Sequence, residues 1–161
     1  MATFDDETGM RRAIAASREA LARGDRPYGA VLVSAQGRLL HEAGNREISG
    51  NDCTAHAETV LVREAQAKLG LDALRGSTVY ASGEPCAMCA GAMFWAGVRR
   101  VVWAASQPLM AQLMGGELLP ARCEQVLAGS TPPVRVEGPL LEDEAAAVLR
   151  LAVGTQGDAA R

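Results

Sequence analysis

The sequence predicts an α/β fold in which a mixed sheet is covered by helices on both faces. Three observations point there. Five short runs rich in β-branched and apolar residues read as strands, and helical patterns alternate with them in the order α-β-β-α-β-α-β-α-β-α. No repeat, low-complexity tract or linker divides the chain. Its 161 residues, 48% of them hydrophobic, suit one domain with a real core. Residues 1–153 are expected to form that domain and 154–161 a disordered tail.

In chain order, Met10, Ile14, Ser17 and Leu21 mark one face of a first helix over residues 6–23, stopped at Gly24-Asp25-Arg26-Pro27. Residues 29–35 (GAVLVSA) read as a buried strand. Gln36-Gly37 turns the chain, and residues 38–43 return as its antiparallel partner. The stretch 42–52, rich in Gly, Asn, Ser and Asp, is a loop, and Thr54 is the expected cap of a helix running to Leu69. Residues 77–81 form a third strand, and Pro85 opens a helix over 86–96. A strand over 98–104, a helix over 107–114, a strand over 133–137 and a helix over 142–153 complete the pattern. Residues 115–132 carry no readable period.

The formal net charge of −3 offers no broad attraction for a polyanion. The N-terminal stretch lacks a basic region followed by an apolar run, and no stretch of about 18 apolar residues occurs, so the expected location is the cytoplasm. Four cysteines in such a chain favour metal binding or redox chemistry for the Cys86-x-x-Cys89 pair over disulfides, leaving Cys53 and Cys123 as ordinary thiols.

The chemistry concentrates in His56-Ala57-Glu58 and in Pro85-Cys86-Ala87-Met88-Cys89, whose first cysteine follows His56 by thirty residues. Cysteines at i and i+3 at a helix N-terminus face the same way, and the positive end of the helix dipole favours thiolates. With His56 they supply three zinc ligands and leave the fourth tetrahedral position open to water, which a structural zinc site ordinarily fills with a side chain. Glu58 is then the proton carrier rather than a ligand. Two other readings stay open: a redox dithiol, which leaves His56 and Glu58 without a role, and a structural site with Cys123 as fourth ligand.

With these residues the chain resembles the cytidine deaminase superfamily, and within it the guanine deaminase and bacterial tRNA adenosine deaminase branch. The resemblance runs through PYGAVLV, GN, TAHAE, SGEPCAMCAGAMFWAG and VRRVVWAA, and H-x-E…P-C-x-x-C is the zinc-deaminase pattern. It implies a three-layer α/β/α sandwich with a mixed five-stranded sheet, one zinc ion per subunit, and a homodimer. It also implies that Asn45 hydrogen-bonds the base, that the backbone at Ala57 faces the substrate, and that Tyr28 and Trp95 wall the pocket. The alternatives are a turn role for Asn45 and core packing for the two aromatics. Glu84 reads as a structural residue that orients the loop.

Two departures bear on substrate. Gly83 stands where relatives often carry Leu or Cys, and the segment after Trp103 lacks the paired aspartates of some guanine deaminases. Glu142 and Glu144 in the last helix are candidates to meet an amino group of a small base, although acidic residues in a first turn also complement the helix dipole. The leading expectation is hydrolytic deamination of a free amino-substituted heterocycle, guanine first. The alternatives are a tRNA adenosine deaminase and a non-catalytic zinc-stabilised binding module. The acidic balance weighs against a nucleic-acid partner.

Overall fold

The computed structural model describes residues 4–159, with side-chain surroundings through residue 154. A five-stranded sheet runs in the order β2-β1-β3-β4-β5, built from β1 (Gly29–Val33), β2 (Leu39–Gly44), β3 (Thr78–Gly83), β4 (Arg100–Ala105) and β5 (Arg135–Glu137). β1 pairs antiparallel with both β2 and β3, whereas β3, β4 and β5 run parallel, so the sheet is mixed as expected. Alternation along the strands sends residues to two separate cores. From β1, Ala30 and Leu32 join one core, while Val31 and Val33 join the other.

The first core is covered by α2 (Ala57–Leu69), α3 (Leu71–Leu74), α4 (Ala87–Trp95) and α6 (Cys123–Leu127). The second is covered by α1 (Asp6–Ala22), α5 (Gln107–Met114) and α7 (Glu142–Ala159). Helices on both faces make a three-layer sandwich. α1 begins where the Asp5 carboxylate accepts from the Thr8 backbone N–H at 2.6 Å, and it buries Met10, Ala13, Ile14, Ser17 and Ala20. Ser17 fits that apolar face because its hydroxyl donates to the Ile14 carbonyl at 2.6 Å. Helix and sheet come so close at Gly29 that a Cβ would stand 2.3 Å from the Ala13 carbonyl oxygen. Only glycine fits there.

Sequence and structure differ at the cap of α2, at two short helices and at the C-terminal tail. Thr54 does not cap α2: its N–H and hydroxyl both donate to Asp52 Oδ1, at 2.9 and 2.7 Å, in a local turn, and His56 takes the N-cap position. Helices α3 and α6 go unread because four and five residues are too few to show a period, and α6 anchors on little more than Cys123 and Leu127. The expected disordered tail is helical to Ala159 as a continuation of α7, since Gly154 weakens a helix without ending it. Residues 160–161 lie outside the described residues. No helix of the described chain is long and apolar enough to cross a membrane.

Candidate active site

The parallel strands β3 and β4 end side by side, and the Glu84 N–H donates to the Ala105 carbonyl at 2.8 Å as the chain leaves the sheet. Such carboxyl ends are where open α/β sheets place their ligands. From this edge the chain enters α4, with Cys86 at its N-cap and Cys89 in its first turn; α2 begins nearby with His56 at its N-cap. Two helix N-termini therefore converge. Both helices thus bring their positive ends to this edge, which favours negative charge on Cys86 and Glu58.

Among the described residues, His56, Cys86 and Cys89 form the group able to hold a metal ion, their ligand atoms all within 4.8 Å of one another. The imidazole presents Nδ1 to the thiols, 3.5 Å from Cys86 Sγ. One nitrogen and two sulfurs are a zinc donor set, and the fit is sound without a fourth side chain. Cys123 is buried in the α2/α4/α6 core and is not part of the group, which argues against a four-ligand structural site. The Cys89 thiol and the His56 imidazole hold the Cys86 thiol well below its ordinary range, while Cys86 and burial push Cys89 up. In the metal-free protein the thiolate therefore forms on Cys86 while Cys89 keeps its proton. Thr59 Oγ1 lies 3.2 Å from Cys89 Sγ and adds a hydrogen bond there.

Glu58, second residue of α2, is buried beside these ligands without belonging to them. Burial raises its carboxyl to about 7, with the Cys86 charge adding to the effect. A bound cation would favour its ionised form, the form that accepts a proton.

Tyr28 precedes β1, and burial raises its phenol to about 12. The charges of Arg26, Glu58 and Glu47 act on that hydroxyl. Gly83 makes room for it: a Cβ at 83 would meet Met110 Sδ at 2.6 Å and Tyr28 Cδ1 at 3.1 Å. The glycine departure noted in the sequence thus has a steric cause. Asn45 is 1% exposed and locked in an Asx turn, its Oδ1 accepting from the Glu47 N–H at 2.9 Å. Its Nδ2 donates to Glu47 Oε2 at 2.6 Å. Ala57, fully buried, stands at the first position of α2 between His56 and Glu58.

Three of the expected substrate contacts are placed otherwise. Trp95 is 78% exposed at the far end of α4 and packs edge-on against Phe94, away from the metal group of its own chain. A nine-residue helix carries its last side chain away from the sheet edge that holds its first. Glu142 accepts from the Ser106 N–H at 2.9 Å and joins α7 to the start of α5. Glu144 meets Arg11 of α1 at 3.4 Å on the outer surface. Glu84, as expected, is structural: its buried carboxylate accepts from Arg122, from the Gln107 N–H at 2.8 Å and from the Cys123 N–H at 3.3 Å. It thereby ties α5 and α6 to the loop carrying Cys86. A cleft of about 200 Å³ behind it, lined by Trp103, Arg122 and Gln125 among others, includes none of the metal-binding side chains.

Sequence reasoning missed Glu47 and Asp25. The Asp25 carboxylate accepts from the N–H groups of Ile48 and Ser49, at 3.1 and 2.8 Å, and holds the loop that presents Asn45 and Glu47. The only available signal was the Asn-x-Glu spacing of an Asx turn.

A family model for the cytidine and deoxycytidylate deaminase zinc-binding region matches residues 3–105. The chain is 39% identical over 140 residues to a probable cytosine deaminase of Schizosaccharomyces pombe, covering 84% of this chain and 85% of that protein. It is 42% identical over 99 residues to a tRNA-specific adenosine deaminase of Agrobacterium fabrum, covering 62% and 64% of the two chains. The solved guanine deaminase from Nitrosomonas europaea superposes with a TM-score of 0.83 at 30% identity, covering 96% of this chain and 87% of that one.

Proposed function

The chain belongs to the cytidine and deoxycytidylate deaminase zinc-binding family, and from that premise we propose that it deaminates a free amino-substituted nucleobase or related small heterocycle, guanine being the first to test. Zinc-dependent deaminase chemistry is common to the family. Relatives named for guanine and for cytosine support a free base as substrate.

The observation that carries the free-base reading is the Glu47 carboxylate, 17% exposed and 3.6 Å from the imidazole of His56. An acid beside the metal-binding ring adds no attraction for a phosphate backbone. The C-terminal glutamates lie outside this space, bonded to the Ser106 N–H and to Arg11.

When bound by His56, Cys86 and Cys89, zinc supplies Lewis-acid activation of water at neutral pH. The remaining work falls to the chain's own groups. Asn45 keeps one N–H and one lone pair beyond its bonds to Glu47, enough to read a donor and an acceptor on a base edge. Tyr28 walls the ring, and the α2 backbone at Ala57 lies alongside. Glu58 accepts the proton that water loses on attacking the amino-bearing carbon, and gives it to the adjacent ring nitrogen. A second proton passes through the same carboxyl to the amine. The C–N bond breaks, ammonia leaves, and a carbonyl remains.

We further propose one zinc per subunit and a homodimer. α4 is apolar along its whole length, yet it buries only Cys89, Ala90 and Met93, leaving Met88 and Trp95 exposed seven residues apart on one face. Helices apolar all round are ordinarily covered on every side.

The test is ammonia release from aminopurines, aminopyrimidines, triazines and nucleosides, alongside binding of an anticodon stem-loop at low salt. Turnover of a free base, lost in Glu58→Ala with zinc retained, is the expected result. Deamination of the stem-loop with no free base consumed would overturn the substrate class in favour of a tRNA adenosine deaminase. Bound zinc without ammonia from any substrate would favour a binding module.

A further inference from the structure

The imidazole of His56 has two nitrogens with different neighbours. Nδ1 lies 3.5 Å from Cys86 Sγ, on the metal side, and Nε2 lies 3.6 Å from Glu47 Oε1, on the other. A neutral imidazole that gives a lone pair to a metal through one nitrogen carries its proton on the other, and the group receiving that proton's hydrogen bond fixes tautomer and ring orientation. We propose that Glu47 is this positioning residue, a carboxylate that accepts the Nε2–H of His56 and links the metal ligand to the base-reading amide of Asn45. The proposal rests on His56 being a zinc ligand.

The carboxylate is held in place rather than free on the surface. Its Oε2 takes the Asn45 amide at 2.6 Å and stands 3.2 Å from Arg26 Nε, while its backbone N–H is bonded to Asn45 Oδ1 at 2.9 Å. The next two residues are pinned by Asp25. Oε1 is left directed at the imidazole, and a movement below about 1 Å brings the pair into the ordinary hydrogen-bond range. One side chain therefore spans both halves of the site. Displacement of Asn45 alters the seat of Glu47, and through it the orientation of the metal-binding ring.

Glu47→Ala and Glu47→Gln test this by two measurements that do not depend on turnover. Zinc affinity is read by competition with a chromogenic chelator, and the His56 tautomer by long-range nitrogen–proton NMR of the zinc-loaded protein. Loss of an outer-shell partner typically weakens metal affinity by roughly 10–100-fold, and Glu47→Ala is expected to show that loss. Glu47→Gln keeps an acceptor oxygen and is expected to recover most of the affinity. The Nε2-bound proton should be detected and slow to exchange in the parent, and fast to exchange in Glu47→Ala.

Zinc affinity within about twofold of the parent in Glu47→Ala, with His56 unchanged, would overturn the inference. A fall in the Tm of the metal-free protein without weaker zinc binding would also overturn it, because it would mean that Glu47 only braces the loop. If the parent itself failed to take up zinc through His56, the functional reading would fall first and this inference with it.

Discussion

Glu58 is a buried acid among sulfurs, and its protonation should be visible in the stability of the metal-free protein. Its carboxyl rises from 4.5 in the unfolded chain to about 7 in the fold, chiefly through burial. The native state then holds a proton that the unfolded state has released, so stability falls as pH rises from 4.5 to about 7. Below that window both states are protonated and nothing is lost; above it the loss is complete. The gap is 7 − 4.5, about 2.5 pH units, and at about 1.4 kcal/mol per unit the loss is of the order of 3 kcal/mol. Glutamine keeps the shape and has no charge to bury. Chelator-treated Glu58→Gln should therefore match the parent near pH 4 and exceed its unfolding free energy by about 3 kcal/mol at pH 8. Urea unfolding of both proteins at stepped pH measures this, and taking their difference removes the titrations they share. Zinc should flatten the difference, because a nearby cation favours the carboxylate. A parent–variant difference that does not change between pH 4 and 8 would refute the reasoning.

Three further outcomes are expected. Arg122→Ala leaves Glu84 buried with only two backbone N–H donors; breaking a buried pair costs about 3–5 kcal/mol, and because Arg122 is 39% exposed, water replaces part of it, so a loss of about 2 kcal/mol is expected in urea unfolding. Gly83→Ala drives a methyl group against Met110 and Tyr28 and should destabilise by about 1–3 kcal/mol while raising KM more than it lowers kcat; an unchanged Tm and KM would mean that the ring is not closely packed there. Trp95→Glu places a charge on the exposed apolar face of α4 and should convert a dimer to monomers by light scattering, whereas a monomeric parent would refute that interface.

The parts of the site that could be read from sequence are those made by local geometry. Cys86 and Cys89 are set one turn apart by a single helix, and His56 and Glu58 by the first residues of another, so spacing alone determines which side chains can converge. The strands were equally legible, because alternation in β1 and β4 must serve two cores at once. What escaped depends on contacts between distant segments. Trp95 sits one motif away from the ligands in sequence, but the rise of α4 carries it out to solvent. The acidic run at the start of α7 suggested substrate contact by composition, yet a carboxylate goes to whatever donor the packing brings near, here the Ser106 N–H and the Arg11 guanidinium.

Glu47 shows the converse. It sits in a loop with no periodicity, and the Asn45-x-Glu47 spacing marks a turn without setting the acid nearer the chemistry than Glu42 or Glu64. Two folding events give it a role: Asp25, twenty-two residues upstream, pins the loop, and the start of α2 turns His56 towards it. Loops of this kind vary more freely than the elements they join, and in the proposed arrangement one carboxylate of this loop steadies a ligand ring. A metal centre defined by short-range spacing can therefore be kept intact while the loop beside it changes. In the proposed function, substrate choice falls to Tyr28, Asn45 and Gly83 rather than to the zinc ligands.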